Sequence, residues 1–156
     1  MRPTPIDTAT LREFVDKSKV REVLDNYCHG LDGREEGRLA ACFTEDAVAT
    51  HHSGSDTEFT LTGGAAIAHY FCTLMRKFTA SNHTACNSVI ELTGKTATVN
   101  TFAIAHVVEG NRVRIRGLKY IDEFVRTDSE QWRIQKRTHI QLWQYEADAV
   151  KPFLPR

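Results

Sequence analysis

The apolar positions change period once along this chain, dividing it into a helical front and a stranded back. Val20, Val23, Leu24, Tyr27, Cys28 and Leu31 recur at intervals of three and four, the stripe of an amphipathic helix expected over residues 10–31. Asp7 and Thr10 are its candidate N-caps, and Gly33 offers a break before a short second helix over 34–42. Residues 47–52 and 58–62 read as short strands on either side of the turn cluster Ser53-Gly54-Ser55-Asp56. Gly63-Gly64 opens a third helix to about residue 78, carrying Ile67, Tyr70, Phe71, Leu74 and Phe78 at helical spacing.

Beyond it the period drops to that of strands. Residues 82–92, 96–109, 112–126 and 131–144 are rich in Val, Ile, Thr and aromatics. They are joined by Thr93-Gly94-Lys95, Gly110-Asn111 and Thr127-Asp128-Ser129-Glu130, connections short enough to make antiparallel hairpins. Helices followed by a long meander predict an α+β fold, with the N-terminal helices packed on a curved antiparallel sheet. Strands of this length must coil, with bulges, and a sheet wrapped around a helix leaves a conical cavity. The end of the first helix forms part of its wall. Residues 1–8, with Pro3 and Pro5, read as a loose arm, 9–147 as one domain and 148–156 as a tail.

Composition limits the partners more than it identifies them. Lys plus Arg equals Asp plus Glu at 20 each, so no net field draws the chain to nucleic acid or to an anionic membrane surface. No run of 18 apolar residues and no signal-peptide pattern is present, and Cys28, Cys42, Cys72 and Cys86 form no CxxC pair. A reduced, cytoplasmic protein is the expectation. Gly63-Gly64 is followed by Ala65-Ala66, without the spacing of a nucleotide-binding loop, so no such cofactor is expected.

Candidate chemistry begins at Asp32, which continues the apolar row eight residues after Leu24 and four after Cys28. An inward carboxylate at a helix C-terminus is disfavoured in its charged form by desolvation and by the helix dipole, so it needs a partner or must tip outward. His83 begins a strand and by alternation shares its face with Ala85, Asn87 and Val89, while His106 shares its face with Asn100, Phe102, Ile104 and Val108. Each is a core histidine or, paired with Asp32, a general base whose tautomer a carboxylate fixes.

The remaining candidates are weaker. His51-His52 point to opposite faces and, with His29, His69 and His139, match no HxH or HExxH metal pattern. Arg112, Arg114 and Arg116, with Arg126 on the same parity, read as a solvated face or subunit contact. Trp132 and Trp143 read as core or interface aromatics, and Arg137 reaches the cavity if a bulge resets the alternation.

In this order and spacing, Tyr27-Cys28-His29-Gly30-Leu31-Asp32, Gly37-Arg38-Leu39, Cys42-Phe43-Thr44-Glu45-Asp46-Ala47, Asn82-His83 with Asn87, 117–122 with Phe124-Val125-Arg126, and Gln131-Trp132-Arg133-Ile134 resemble the SnoaL-like branch of the NTF2-like (cystatin-like) superfamily. The resemblance spans about residues 15–145 and implies the cone-shaped α+β barrel of that superfamily. Residues 32–40 are similar to hexachlorocyclohexane dehydrochlorinase, with Asp32, His83 and Arg137 on its dyad and leaving-group arginine, though Tyr27 stands where that enzyme has a lysine. Tyr27, Asp32 and His83 are similar to the Tyr, Asp and His of bile-acid 7α-dehydratase, and His106 lies near a histidine of scytalone dehydratase.

The resemblance implies a cofactor-independent, metal-free lyase of the dehydratase type acting on a hydrophobic cyclic or aromatic small molecule. His83 would be the base, Asp32 its orienter, and Tyr27, His106 or Arg137 the group at the leaving oxygen. An isomerase or polyketide-type cyclase using the same dyad, and a non-catalytic ligand-binding domain, remain open beside it. Relatives form trimers or dimers and the outer sheet face carries Val, Ile and Trp, so a homo-oligomer is expected, a trimer before a dimer.

Overall fold

A computed structural model of the protein describes residues 7–53 and 57–149. Helix α1 spans Thr8–Gly33, α2 Glu36–Ala41 and α3 Gly64–Met75; the strands are β1 Phe43–Ser53, β2 Thr57–Thr62, β3 Ala80–Thr93, β4 Thr96–Glu109, β5 Arg112–Arg126 and β6 Trp132–Asp148. The expected arm and tail, apart from Asp7 and Thr8 and from Asp148 and Ala149, lie outside the described residues, as does most of the turn between β1 and β2. Asp7 caps α1 by accepting from the Thr10 backbone N–H at 2.9 Å.

The break after α1 falls one residue later than expected. Gly33 is still helical, and Arg34 takes the left-handed conformation (φ 56°), its N–H bonding the carbonyls of Gly30 and Leu31. A non-glycine residue is held there because its guanidinium donates to the carbonyls of Met75 (3.3 Å) and Phe78 (2.9 Å) at the end of α3. The end of α1, which carries Asp32, is thereby tied to the opposite helix.

The helices pack on one face of a curved, open six-stranded sheet of order β2-β1-β6-β5-β4-β3. The sheet is mixed rather than wholly antiparallel, because β1 runs parallel to β6. Tight turns dictate antiparallel pairing only between consecutive strands, and no turn links these two. β4 turns Ala97, Val99, Thr101, Ala103, Ala105 and Val107 inward, a row of mostly small side chains. Val20, Leu24, Leu39, Phe43, Ile67, Phe124 and Ile134 belong to the hydrophobic core between the helices and the sheet. There Asp16 accepts from Trp132 Nε1 at 2.9 Å, so Trp132 is a core residue while Trp143 lies on the outer face.

Bulges set which side chains face the helices; in β6 the slip opposite Gly117 and Leu118 leaves Leu142 as an extra residue, so Gln141 and Gln144 both face inward. In β3 the register slips between Ala85 and Ser88, so Ser88 and Ile90 follow Ala85 inward. Asn87 and Val89 therefore do not share the face of His83; Val89 is exposed on the other side. In β6 the slip opposite Glu123 and Phe124 leaves Gln135 as the extra residue, and Ile134 and Arg137 both point inward. Among the described residues no helix is long and apolar enough to cross a membrane.

Candidate active site

β3 is an edge strand, and its free edge is closed by side chains of α1 rather than by another strand. Arg21 donates to the carbonyls of Ala85 (2.6 Å) and Cys86 (2.7 Å) at the bulge. Asp32 closes the other end: Oδ2 accepts the backbone N–H of His83 at 2.6 Å, while Oδ1 meets the ring Nδ1 of the same residue at 2.6 Å. A buried edge N–H needs an acceptor, and the carboxylate that supplies it is thereby fixed against the imidazole.

Burial raises the Asp32 carboxyl, but the ring and backbone N–H of His83, with Ser81, outweigh it and hold the group below its ordinary range. An ionised carboxylate only accepts, so Nδ1 carries a ring hydrogen and Nε2 is the nitrogen left free, the one that presents a lone pair in the neutral ring. The side chains of His83 and Asp32 are 7% and 19% exposed.

His83 opens into a cavity of about 370 Å³ between the sheet and the helices. Its apolar lining includes Leu31, Phe71, Leu74, Met75 and Leu118. Its polar lining includes Tyr27, Tyr120, His51, His139 and Arg116. Burial lifts the Tyr27 phenol to about 12 against the pull of Arg137, so it is a neutral donor at physiological pH. His51 and His139 stack with ring centroids 4.4 Å apart, and His51 Nε2 and His139 Nδ1 are buried without a partner among the described residues. Burial, reinforced for His51 by Arg137 and for His139 by His51 itself, pushes them down to about 3 and about 2. Both rings are neutral.

The structure thus brings Tyr27, Asp32 and His83 together and separates the other two candidates. Arg137 does point inward, as a bulge was expected to make it, but it is buried beneath the cavity rather than lining it. Its Nε and Nη2 clasp Asp122 at 2.7 Å each, and the guanidinium packs over the rings of Tyr27 (4.1 Å) and Tyr120 (4.4 Å). The Asp122 charge and hydrogen bonds override the desolvation that would neutralise the guanidinium, and raise its pKa. His106 sits opposite Asn82 and Ile115 on the outer face, because Ala105 and Val107 take the inward positions of β4.

Sequence reasoning passed over His51, His139 and Arg116. The inward parity of Ala47 and Ala49 carries on to His51 and was readable; that of His139 depends on the Gln135 bulge and was not. Among the described residues no cluster of three or more His, Cys, Asp or Glu is placed to hold a metal ion, and all four cysteines are free thiols.

A family model for a SnoaL-like domain matches residues 12–138. No curated protein sequence matches the chain. Among solved structures, the hexachlorocyclohexane dehydrochlorinase LinA-type3 from Novosphingobium barchaimii LL02 is 20% identical, with TM-score 0.77 over 94% of this chain and 99% of that one. A scytalone dehydratase-like protein from Novosphingobium aromaticivorans is 21% identical, TM-score 0.75, over 92% and 97% of the two chains. An NTF2-like protein with a cystatin-like fold from the same organism is 21% identical, TM-score 0.70, over 89% and 92%. At these identities the likeness is one of fold.

Proposed function

The chain belongs to the SnoaL-like domain family, and from the pairing of Asp32 with His83 at the wall of a partly apolar cavity we propose that it is a cofactor-independent lyase. The substrate is a hydrophobic cyclic or aromatic small molecule, and the reaction is an elimination of the dehydratase type. The observation that carries this reading is the two-point grip of Asp32 on His83, which fixes both the tautomer and the orientation of the imidazole.

His83 Nε2 takes a proton from a carbon next to an activating group, and Asp32 stabilises the imidazolium that forms. The electrons of the C–H bond become the new double bond as the C–O bond breaks. The departing oxygen takes a proton and leaves as water, the proton coming from the Tyr27 phenol or from the imidazolium. Arg137 acts on Tyr27 from behind, through the ring face, and holds it in place. The apolar side chains in the lining lower the local dielectric, which strengthens each of these interactions.

A second reading, an isomerase or polyketide-type cyclase, uses the same groups and returns the proton to another carbon. It is favoured by the 7% exposure of the His83 side chain, which shelters the abstracted proton from bulk water. We also propose that copies associate through the outer face of the sheet, where Phe102, Ile121 and Trp143 are exposed, as a trimer in preference to a dimer.

The test is turnover. Mass spectrometry of small molecules that copurify with the protein, followed by a panel of hydroxylated cyclic compounds assayed for loss of water, identifies a substrate. Asp32→Asn and His83→Ala are each expected to lower kcat by ~10²–10⁴. Retention of substrate deuterium in a rearranged product supports the isomerase. If wild type and both variants exchange or lose protons equally, the dyad is not catalytic and a binding domain is the better reading.

A further inference from the structure

One lateral row on the concave face of the sheet is not used up by the proton-transfer groups. His83, Ala105, Arg116 and Gln144 stand opposite one another in register across β3, β4, β5 and β6. Neighbouring strands are about 4.8 Å apart, so the backbone of Arg116 is roughly 10 Å from that of His83. Only the methyl group of Ala105 stands in the row between them.

Arg116 differs from the arginines that precede it on β5. Arg112 bonds Asp148 at 2.9 Å and Arg114 bonds Glu146 at 2.9 Å. Arg116 donates instead to the neutral amide oxygen of Gln144 at 2.9 Å, and no carboxylate of the described residues lies within 4.0 Å of it. It is half-buried and lines the same cavity as His83, where desolvation and the neighbouring Arg114 disfavour its charge and together outweigh the more distant Glu146 carboxylate. A cation in that position gains from an anion that arrives with the ligand.

The rest of the polar lining points to a ligand that carries oxygen. His51, 95% buried on its 5% exposure, leaves Nε2 without a partner, and His139 leaves Nδ1 likewise. Being neutral, these rings offer hydrogen bonds without adding to the positive charge. Among the residues that line the cavity, Arg116 is the one arginine or lysine and none is a carboxylate, which suits a ligand with a single negative charge. A phosphate dianion would leave one charge uncompensated, and a wholly neutral ring would leave Arg116 without a counter-ion in the cavity.

We propose that Arg116 binds the carboxylate of an amphipathic ring compound, whose apolar body lies against Leu31, Phe71, Leu74 and Met75. This deepens the lyase reading by naming its substrate class, and rests on that reading only for the reacting C–H bond that faces His83. The carboxylate is held across the sheet from the base, so Arg116 fixes which ring carbon reaches Nε2.

The probes are 1-naphthoate and its uncharged analogue 1-naphthamide, titrated calorimetrically at low salt into wild type, Arg116→Gln and His83→Ala. Wild type is expected to bind the carboxylate about ten-fold or more tightly than the amide, as for a charge-assisted hydrogen bond. Arg116→Gln is expected to abolish that preference and leave the amide affinity unchanged; His83→Ala is expected to keep it. Equal affinity of wild type for both probes, no binding of either, or a preference that survives in Arg116→Gln overturns the proposal. The two readings fail separately. Carboxylate preference without dyad-dependent turnover sinks the lyase alone, whereas dyad-dependent turnover of neutral compounds without any carboxylate preference sinks this site alone.

Discussion

At the scale of single residues, the partner a group finds decides its charge more than the place it occupies. Asp32 sits where burial and the helix dipole both oppose ionisation, yet the ring and backbone N–H of His83 hold it ionised. His51 and His139 find no such partner and stay neutral. Their titration has a definite sign. Each has a native pKa far below the 6.5 of the unfolded chain, so between those values the unfolded state binds protons that the native state refuses. Stability is full above pH 6.5 and is lost as the pH falls. The expected loss is about 1.5 kcal/mol per histidine between pH 6.5 and pH 5. Urea unfolding across that range measures it, and His51→Asn should remove roughly half of the slope. A slope that His51→Asn and His139→Asn both leave untouched would show that neither ring is buried neutral.

At the scale of elements, close approach and bulging place the site. The start of α3 meets β1 so tightly that a Cβ on Gly64 would lie 2.7 Å from the Thr44 carbonyl oxygen and 3.0 Å from Phe43 Cβ. Because the first contact is backbone, Gly64→Ala is expected to cost about 1–3 kcal/mol, read as a lower urea midpoint with an unchanged m-value. An unchanged midpoint would mean that α3 shifts freely, and α3 carries Phe71, Leu74 and Met75 of the cavity wall. The bulges act on the other wall. The slip at Gln135 puts Arg137 and His139 on the inner face of β6, and the slip after Ala85 turns Asn87 and Val89 away from His83.

At the scale of the whole molecule, the two faces of the sheet have different tasks. The concave face encloses the cavity; the convex face exposes Phe102, Ile121, Trp143 and Tyr145 to solvent in the single chain. Aromatic and aliphatic groups in that number on one face suit an interface between copies. Light scattering on the purified protein is expected to give a trimer, and Phe102→Lys combined with Trp143→Lys to give monomers with unchanged secondary structure. A monomeric wild type would rule the association out.

The sequence by itself determined the order of the elements and the approximate extent of α1, α3 and β3 to β6, because these rest on local periodicity: 3.6 residues along α1 and α3, two along β3 to β6. It also marked Asp32 as an acid in need of a partner, since its place on the apolar stripe follows from spacing alone. Short turns fixed which strands pair as hairpins, but the parallel pairing of β1 with β6 joins residues far apart in the chain and had no local signal. The same holds for the details of the site. His106 was misplaced because alternation gives two faces without saying which is inner, and that is decided by what packs against the strand. Arg137 was correctly turned inward by a bulge but placed too near the cavity, since Asp122 and two tyrosine rings hold it in the core. Arg116 was read as a surface charge, because only the register across three strands sets it opposite His83 with a single alanine between.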